Sequence, residues 1–338
     1  MNKATAEHID KLIDRCGLFP SSSKPESHLN NFDFSDETIL ITGAAGSIGS
    51  ELSKQIAQHK FKTLILIDIA ESPLYNLVKE FEFKDVSNIK FLILNITDEI
   101  ALKHLFEKYK PTIVFHTAAY KHVPLMEHNA YAAIKTNIFG TKYLAELSIV
   151  HRIKKFVFIS TDKAVNPIST MGLTKAIGEK YLKSLNTTSE TYFIVSRFGN
   201  IIGSNGSLLP LIKKQIESGG PVTITDKETS RFFIEKQFAC HLILEISTIQ
   251  KSEHHLFTFE MGTPVRIIDI VDRLLLNYSD STEDIKVKYV GLRPGEKLHE
   301  HMISEDEIII PSENKRISII KTRKKTVLKE LDFSELIS

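Results

Sequence analysis

Near the middle of the chain the apolar run KFVFIS ends in Thr161, Asp162 and Lys163: a hydroxyl, a carboxyl and an amine on consecutive residues. A carboxyl beside an amine can serve as acid and base on neighbouring carbons of one substrate, provided their surroundings tune them apart. Position matters as much as type, because the carboxyl end of a buried parallel strand projects its side chains into the crevice where open α/β sheets bind ligands. On its own such a triplet reads more simply as a capped loop with a surface ion pair. The stretch KAVNPISTMGLTK that follows favours chemistry, since it places Met171 four residues before Lys175 and so on one helix face. Lysine can exchange a proton there; methionine cannot, and its ordinary place is the core.

A second group of residues suits phosphate. The run TILIT leads straight into GAAGSIG, so Gly43, Gly46 and Gly49 fall where a strand turns into a helix, with Ser47 and Ile48 at the helix start. Three glycines there allow a tight turn, close approach of backbone to a pyrophosphate, and close packing of helix on strand. The helix amides and the positive end of its dipole complete the anion site. Asp68 ends the next apolar run, TLILID, at the distance where an acid meets the adenosine ribose; its plain alternative is a strand-end cap. Together they predict an NAD or NADP cofactor, with NAD preferred because a carboxylate repels a 2′-phosphate. Asn95 and Ile96, followed by Thr97 and Asp98, fall by position at the adenine edge, and Ala118, Ala119 and Tyr120 follow the fourth strand towards the nicotinamide.

The elements that must position these groups are short apolar runs alternating with helix-period segments, from TILITG through TLILID, KFLILN, TIVFHTA and KFVFIS. That texture predicts an α/β fold with a doubly wound, parallel Rossmann sheet. Residues 1–36 read as an appendage with a Pro- and Ser-rich linker, 37–205 as the dinucleotide-binding domain, and 206–338 mainly as a smaller substrate-binding lobe with segments returning to the sheet. The balance of 43 basic and 42 acidic side chains excludes a global field for nucleic acid or an anionic membrane. The basic run KTRKK from Lys321 reads as a solvated face. Two cysteines, Cys16 and Cys240, are too few for a disulfide framework, and no apolar stretch reaches membrane-spanning length. A soluble cytoplasmic protein is expected. His299 and His301, two apart, do not converge as metal ligands, and no metal is expected.

The ordered set GAAGSIGSEL, TAAYKHVPLME, STDKAVNP, SRFGNIIGSNGSLLPL, TSRFF and GLRPGEKLHE resembles the CapD-like polysaccharide-biosynthesis family of UDP-N-acetylhexosamine 4,6-dehydratases, within the extended short-chain dehydrogenase/reductases. The resemblance covers about residues 37–305. It implies a redox-neutral cycle in which sugar C4 is oxidised, water is eliminated across C5 and C6, and hydride returns to C6 to give a 4-keto-6-deoxy sugar. Most of the wider superfamily has tyrosine where this chain has Met171, with lysine at Lys175. In this reading Asp162 is the acid at C6, Lys163 the base at C5, and Thr161 bonds the C4 oxygen, whose proton passes through Lys163, a water, or the ribose to Lys175. Methionine at this position implies retention at C5. For a UDP-sugar the matched positions are Lys121, Arg197, Asn200, Ser207, Thr225, Arg231, Arg293 and Glu296, arginine suiting phosphate through its planar fork. The segment HIDKLIDRCGLFP resembles the join between membrane and catalytic parts in long members of the family, so the chain is either a short member or part of a longer one. Homo-oligomerisation through the Met171 and NIFGT helices is expected by the same resemblance. The rival readings are a C4 or C5 epimerase of the same fold and a non-catalytic dinucleotide sensor.

Overall fold

The computed structural model describes residues 3–19, 31–82, 86–278 and 285–323. Most of the linker and the last two residues of the KTRKK run lie outside the described residues. The first six sheet strands are β1 (Asp33–Thr42), β2 (Lys60–Asp68), β3 (Ile89–Ile93), β4 (Ile113–His116), β5 (Lys155–Thr161) and β6 (Tyr192–Phe198). Three more come from the C-terminal half: β7 (Leu256–Phe259), β8 (Glu307–Pro311) and β9 (Ile317–Thr322). They form one nine-stranded sheet in the order β8-β9-β7-β6-β5-β4-β1-β2-β3. From β3 to β7 every pairing is parallel; at the far edge β9 pairs antiparallel with both β7 and β8. The strand order reverses between β1 and β4, which is where such a sheet opens its ligand crevice.

Continuous apolar runs become central strands because both faces of the sheet are covered. In β1, Ile39 and Ile41 pack to one side and Leu40 to the other, all fully buried. The first side is covered by α2 (Ser47–Ile56), α3 (Glu71–Glu80) and, from the C-terminal half, the helix Lys236–Thr248. The second carries α4 (Glu99–Tyr109), α5 (Thr141–Val150) and α6 (Thr170–Leu185), which bury Phe106, Leu144 and Leu182. The turn Ile134–Gly140 before α5 is a π-helix. Its widened coil carries Asn137, fully buried beneath the end of β4.

A separate apolar cluster forms the smaller lobe. It joins the helix Leu208–Glu217, the short parallel strands Val222–Ile224 and Val287–Tyr289, and the helix Ile267–Tyr278. The N-terminal segment departs from the expected appendage. Residues Lys3–Arg15 form a helix, α1, whose Ile9, Leu12 and Ile13 are buried in the lobe cluster, and Asp10 pairs with Arg273. The physical reason is its single apolar stripe, which needs a partner face and finds it on the helix Ile267–Tyr278. We therefore expect Ile9→Ala to destabilise the chain by about 2–5 kcal/mol in urea unfolding. A cost near zero would mean that this helix is not part of the lobe core.

Candidate active site at the sheet's carboxyl edge

The turn after β1 sets the floor of the site. Gly43 adopts φ +67°, and a Cβ there would lie 2.6 Å from the Ala118 Cα at the end of β4. Gly49, in the first turn of α2, would place a Cβ 2.2 Å from the Gly43 carbonyl oxygen. Neither position admits a side chain without displacing backbone. Asp68, at the end of β2, accepts from the Ala45 amide at 3.0 Å and from the Ala70 amide at 2.9 Å, so it clamps the glycine turn while its carboxylate stays beside the crevice. The strand-end cap and the ribose-facing acid are thus compatible roles for one residue.

Above this floor lies a cavity of about 590 Å³. Gly46, Ser47 and Ile48 form one wall; Thr161, Lys163 and Asn200 face it from β5 and the short strand Asn200–Ile201; Ala119, Tyr120 and Lys121 come from the end of β4, and Met171 and Lys175 from α6. The strands and helices thus gather residues that are more than 150 positions apart in the chain into one space. Asn137 fixes the β4 wall from below, accepting from the Tyr120 amide at 2.9 Å and donating to the Tyr120 carbonyl at 3.0 Å and to Thr174 Oγ1 at 3.0 Å.

Within the triplet, Thr161 Oγ1 donates to Asp162 Oδ1 at 2.9 Å, and Lys163 Nζ donates to the same oxygen at 3.0 Å and to Asn200 Oδ1 at 3.0 Å. Thr161 and Lys163 line the cavity. Asp162 does not: it is fully buried one layer below, and its Oδ2 has no hydrogen-bond partner among the described residues. The chain leaves β5 at Thr161 and tightens into a 3-10 turn over Asp162–Ala164, within which Asp162 is buried while Thr161 and Lys163 line the cavity.

Lys175 is buried, its Nζ 3.8 Å from the centre of the Phe158 ring. Burial pushes its pKa down to about 7, against the pull of Glu179. The ring face favours the cation and works against burial. Met171 is buried beside Met126 and Val123, so the position that would carry a hydroxyl in the wider superfamily carries an apolar wall instead. Burial also lowers the Lys121 ammonium, which donates to the Asn205 carbonyl at 2.9 Å, while the Asn205 amide donates to Ser47 Oγ at 3.1 Å. The Gly203–Ser207 loop thereby spans the crevice. Ser207 Oγ lies in the cavity wall, buried and without a hydrogen-bond partner among the described residues, at the start of the helix Leu208–Glu217.

Several sequence-predicted site residues fall elsewhere. Arg197 is a correction: it is buried between Glu179 and Glu307, donating to both carboxylates and to the Met302 carbonyl, which leaves its guanidinium no face for a diphosphate. Lying on β6, inside the sheet, it is out of the crevice that the following Asn200 reaches. Ile96 is a second correction: its side chain packs in the core against Gly140, leaving only main chain to face a ligand. Asn95 is exposed and accepts from the Thr97 amide, and Asp98 caps α4 through the Ala101 amide. Thr225, Arg231, Arg293 and Glu296 are brought together in the lobe, away from the cavity lining. Glu296 Oε1 accepts from Thr225 Oγ1 at 3.0 Å and from Arg231 at 3.1 Å, and its Oε2 accepts from the Arg293 amide at 3.2 Å. Arg231 is otherwise taken up by the carbonyls of Ser230, Lys297 and Leu298, whereas the Arg293 side chain is exposed. Sequence reasoning missed Asn137, whose NIFGT setting is a visible signal, and the Asn205 bridge, which has none.

The strand order, the glycine turn pinned by Asp68 and the lysine on α6 define an extended short-chain dehydrogenase/reductase. The family model described as polysaccharide biosynthesis protein matches residues 39–322, and the chain belongs to that family. It is 42% identical over 279 residues to the capsular polysaccharide biosynthesis protein CapD of Staphylococcus aureus, covering 82% of this chain and 46% of CapD. The chain thus spans about half the length of that relative, as it does of the probable polysaccharide biosynthesis protein EpsC of Bacillus subtilis. A UDP-N-acetylglucosamine 4,6-dehydratase (inverting) of Campylobacter jejuni is 32% identical, with 89% of this chain and 87% of that protein covered. Among solved structures, Pen from Bacillus thuringiensis superposes with a TM-score of 0.77 at 32% identity, covering 88% of this chain and 90% of that one. The dTDP-glucose 4,6-dehydratase DesIV of Streptomyces venezuelae, solved with NAD and TYD, shares the fold with a TM-score of 0.69 at 19% identity, covering 78% of this chain and 88% of that one. No described helix is long and apolar enough to cross a membrane.

Two outcomes follow from the buried cations. Arg197→Met strands the buried carboxylate of Glu179 and the part-buried one of Glu307, so its unfolding free energy should fall by about 3–5 kcal/mol. A variant that unfolds like the wild type but binds nucleotide sugar poorly would return Arg197 to the substrate site. For Lys175 the sign is set by its lowered pKa: between about pH 7 and about pH 10 the folded state holds fewer protons than the unfolded chain. The ligand-free protein should gain stability across that window, and the burial penalty should be fully present below it. In urea titrations, the difference between wild type and Lys175→Met should therefore shrink as pH rises; a constant difference would contradict a depressed Lys175.

Proposed function

We propose that this protein is a nucleotide-sugar 4,6-dehydratase that takes UDP-N-acetylglucosamine or a related UDP-N-acetylhexosamine to its 4-keto-6-deoxy form. The observation that carries this reading is the single cavity in which Thr161 and Lys163 face the Gly46–Ile48 wall, with Lys175 and Met171 on the same lining. A nicotinamide dinucleotide fits the residues present: side-chain-free backbone at Gly43 and Gly49, the start of α2, and Asp68 beside the crevice. NAD is preferred over NADP, since a 2′-phosphate beside Asp68 would be repelled. Held there, the dinucleotide would supply a hydride acceptor for sugar C4 and the hydride returned at C6, so that oxidation and reduction would balance.

The chain's own residues do the rest. Thr161 Oγ1 bonds the C4 oxygen, whose proton leaves through Lys163, a water, or the ribose to Lys175 as the hydride departs, and the amine of Lys163 removes and restores the C5 proton, which the C4 ketone has acidified. Asp162 supplies the proton with which the C6 hydroxyl leaves as water. Being buried behind the wall, it meets the sugar only by turning about its own side-chain bonds, which gives up the contacts that Oδ1 makes with Thr161 and Lys163. Ser207, at the N-terminus of its helix, and Asn200 hold the diphosphate, with Lys121 across the crevice. Arg293, set by Glu296 beside Thr225 and Arg231, reaches the nucleotide from the lobe. Retention at C5 follows if the amine that removes the proton returns it to the same face. Two copies associate through the helix bearing Met171 and the NIFGT helix.

Incubation of the purified protein with UDP-N-acetylglucosamine should give a product lighter by one water, seen by mass spectrometry, with its C5 configuration retained by NMR. Lys163→Ala should lower kcat by about 10²–10⁴-fold. An isomer of unchanged mass would make the protein an epimerase, and an L-arabino product would defeat the retention.

A further inference from the structure

One buried charge beside the cavity has no part in the proposed chemistry. Glu300 closes the segment Arg293–Glu300, with its side chain 3% exposed. On the lobe side the segment is tied down by the Ser230 amide, which donates to the Leu298 carbonyl at 3.1 Å, and by Ser230 Oγ, 2.8 Å from His299 Nδ1. On the other side Lys297 Nζ donates at 2.6 Å to the carbonyl of Val165, two residues past Lys163. The segment therefore bridges the lobe and the loop that carries the reacting amine. Glu300 enters from behind: its Oε1 lies 4.0 Å from Lys163 Nζ and its Oε2 3.3 Å from Lys297 Nζ. Oε2 accepts no hydrogen bond among the described residues.

A buried carboxylate with so few bonds is costly, and stability alone would favour an apolar side chain there. Lysine is a flexible four-carbon stem ending in three N–H groups, so two acceptors leave its amine free to swing. Lys163 has those two, Asp162 from its own turn and Asn200 from the short strand. A second carboxylate, from a different element, closes the triangle. We propose that Glu300 is a positioning residue for Lys163: seated by the nucleotide-sugar lobe, its carboxylate holds the amine in the place from which it works on sugar C5. This rests on the dehydratase reading given above.

The test compares Glu300→Gln and Glu300→Asp with the wild type on UDP-N-acetylglucosamine and on the same sugar deuterated at C5 or at C4. If Glu300 positions Lys163, Glu300→Gln lowers kcat by about tenfold to a hundredfold, as misplacement of a reacting group does, and leaves KM little changed. The isotope effect from C5 deuterium rises while that from C4 deuterium does not, and Glu300→Asp recovers part of the rate. A folded Glu300→Gln with unchanged kcat, or a loss without any change in the C5 isotope effect, overturns the proposal. A second measurement is independent of turnover: acetylation of Lys163 by acetic anhydride at fixed pH, followed by peptide mass spectrometry, should be several-fold faster in Glu300→Gln. Equal rates overturn the proposal, whereas absence of turnover in the wild type defeats the dehydratase reading alone and leaves acetylation to decide. Should Glu300→Gln not fold, Lys297→Met replaces it. With its other cation gone the carboxylate bears on Lys163 alone, so acetylation should slow, and an unchanged rate again overturns the proposal.

Discussion

How closely the turn after β1 can approach the end of β4 governs the whole site. Gly43 and Gly49 remove the two Cβ atoms that would hold that turn, the start of α2 and the Ala118 backbone apart. With them gone, the helix start and the ends of β4 and β5 share one crevice, and Asp68 locks the turn through two amides. No residue at the end of β5 could face a ligand held at α2 if this approach were looser. The reversal of strand order between β1 and β4 supplies the opening; the glycines make it narrow enough to be a site.

Buried charge divides into two kinds in this molecule. Arg197 is saturated: two carboxylates and a carbonyl occupy its donors, and it holds α6, β6 and the start of β8 together. Around Lys163 the pattern is incomplete. Asp162 Oδ2 and Glu300 Oε2 are both buried without hydrogen bonds among the described residues, and the amine they flank opens on the cavity. Complete networks fix a fold; unsatisfied ones beside a cavity are where protons can move. The absence of a phenol at Met171 sharpens this contrast, since the groups on α6 that could assist a proton transfer reduce to a buried lysine over an aromatic ring.

The lobe and the sheet meet through the segment Arg293–Glu300, which is pinned to Ser230 and Arg231 at one side and to the Val165 carbonyl at the other. The lobe is thus tied through hydrogen bonds to the loop that carries Lys163. In the reading proposed here the nucleotide half of the substrate thereby helps to place the amine for the sugar half, a use of remote binding in the service of the reacting centre.

Local pattern determined much of this by itself. Alternating apolar runs required a parallel sheet, and GAAGSIG after a strand required a backbone-lined turn at a helix start, because both follow from periodicity and from the lack of a side chain. The strand-end position of Thr161 to Lys163 was legible for the same reason. What only the tertiary structure decided is which of two identical-looking charges is occupied. Arg197 and Arg293 both sit in motifs suited to phosphate, yet the partners of Arg197 are Glu179 and Glu307, 18 and 110 residues away. The burial of Asp162 behind its neighbours, the packing of Ile96 on Gly140, the docking of the first helix and the approach of Glu300 are likewise long-range. Sequence spacing carries period and backbone permission along the chain; it carries no record of which distant side chain fills the remaining space.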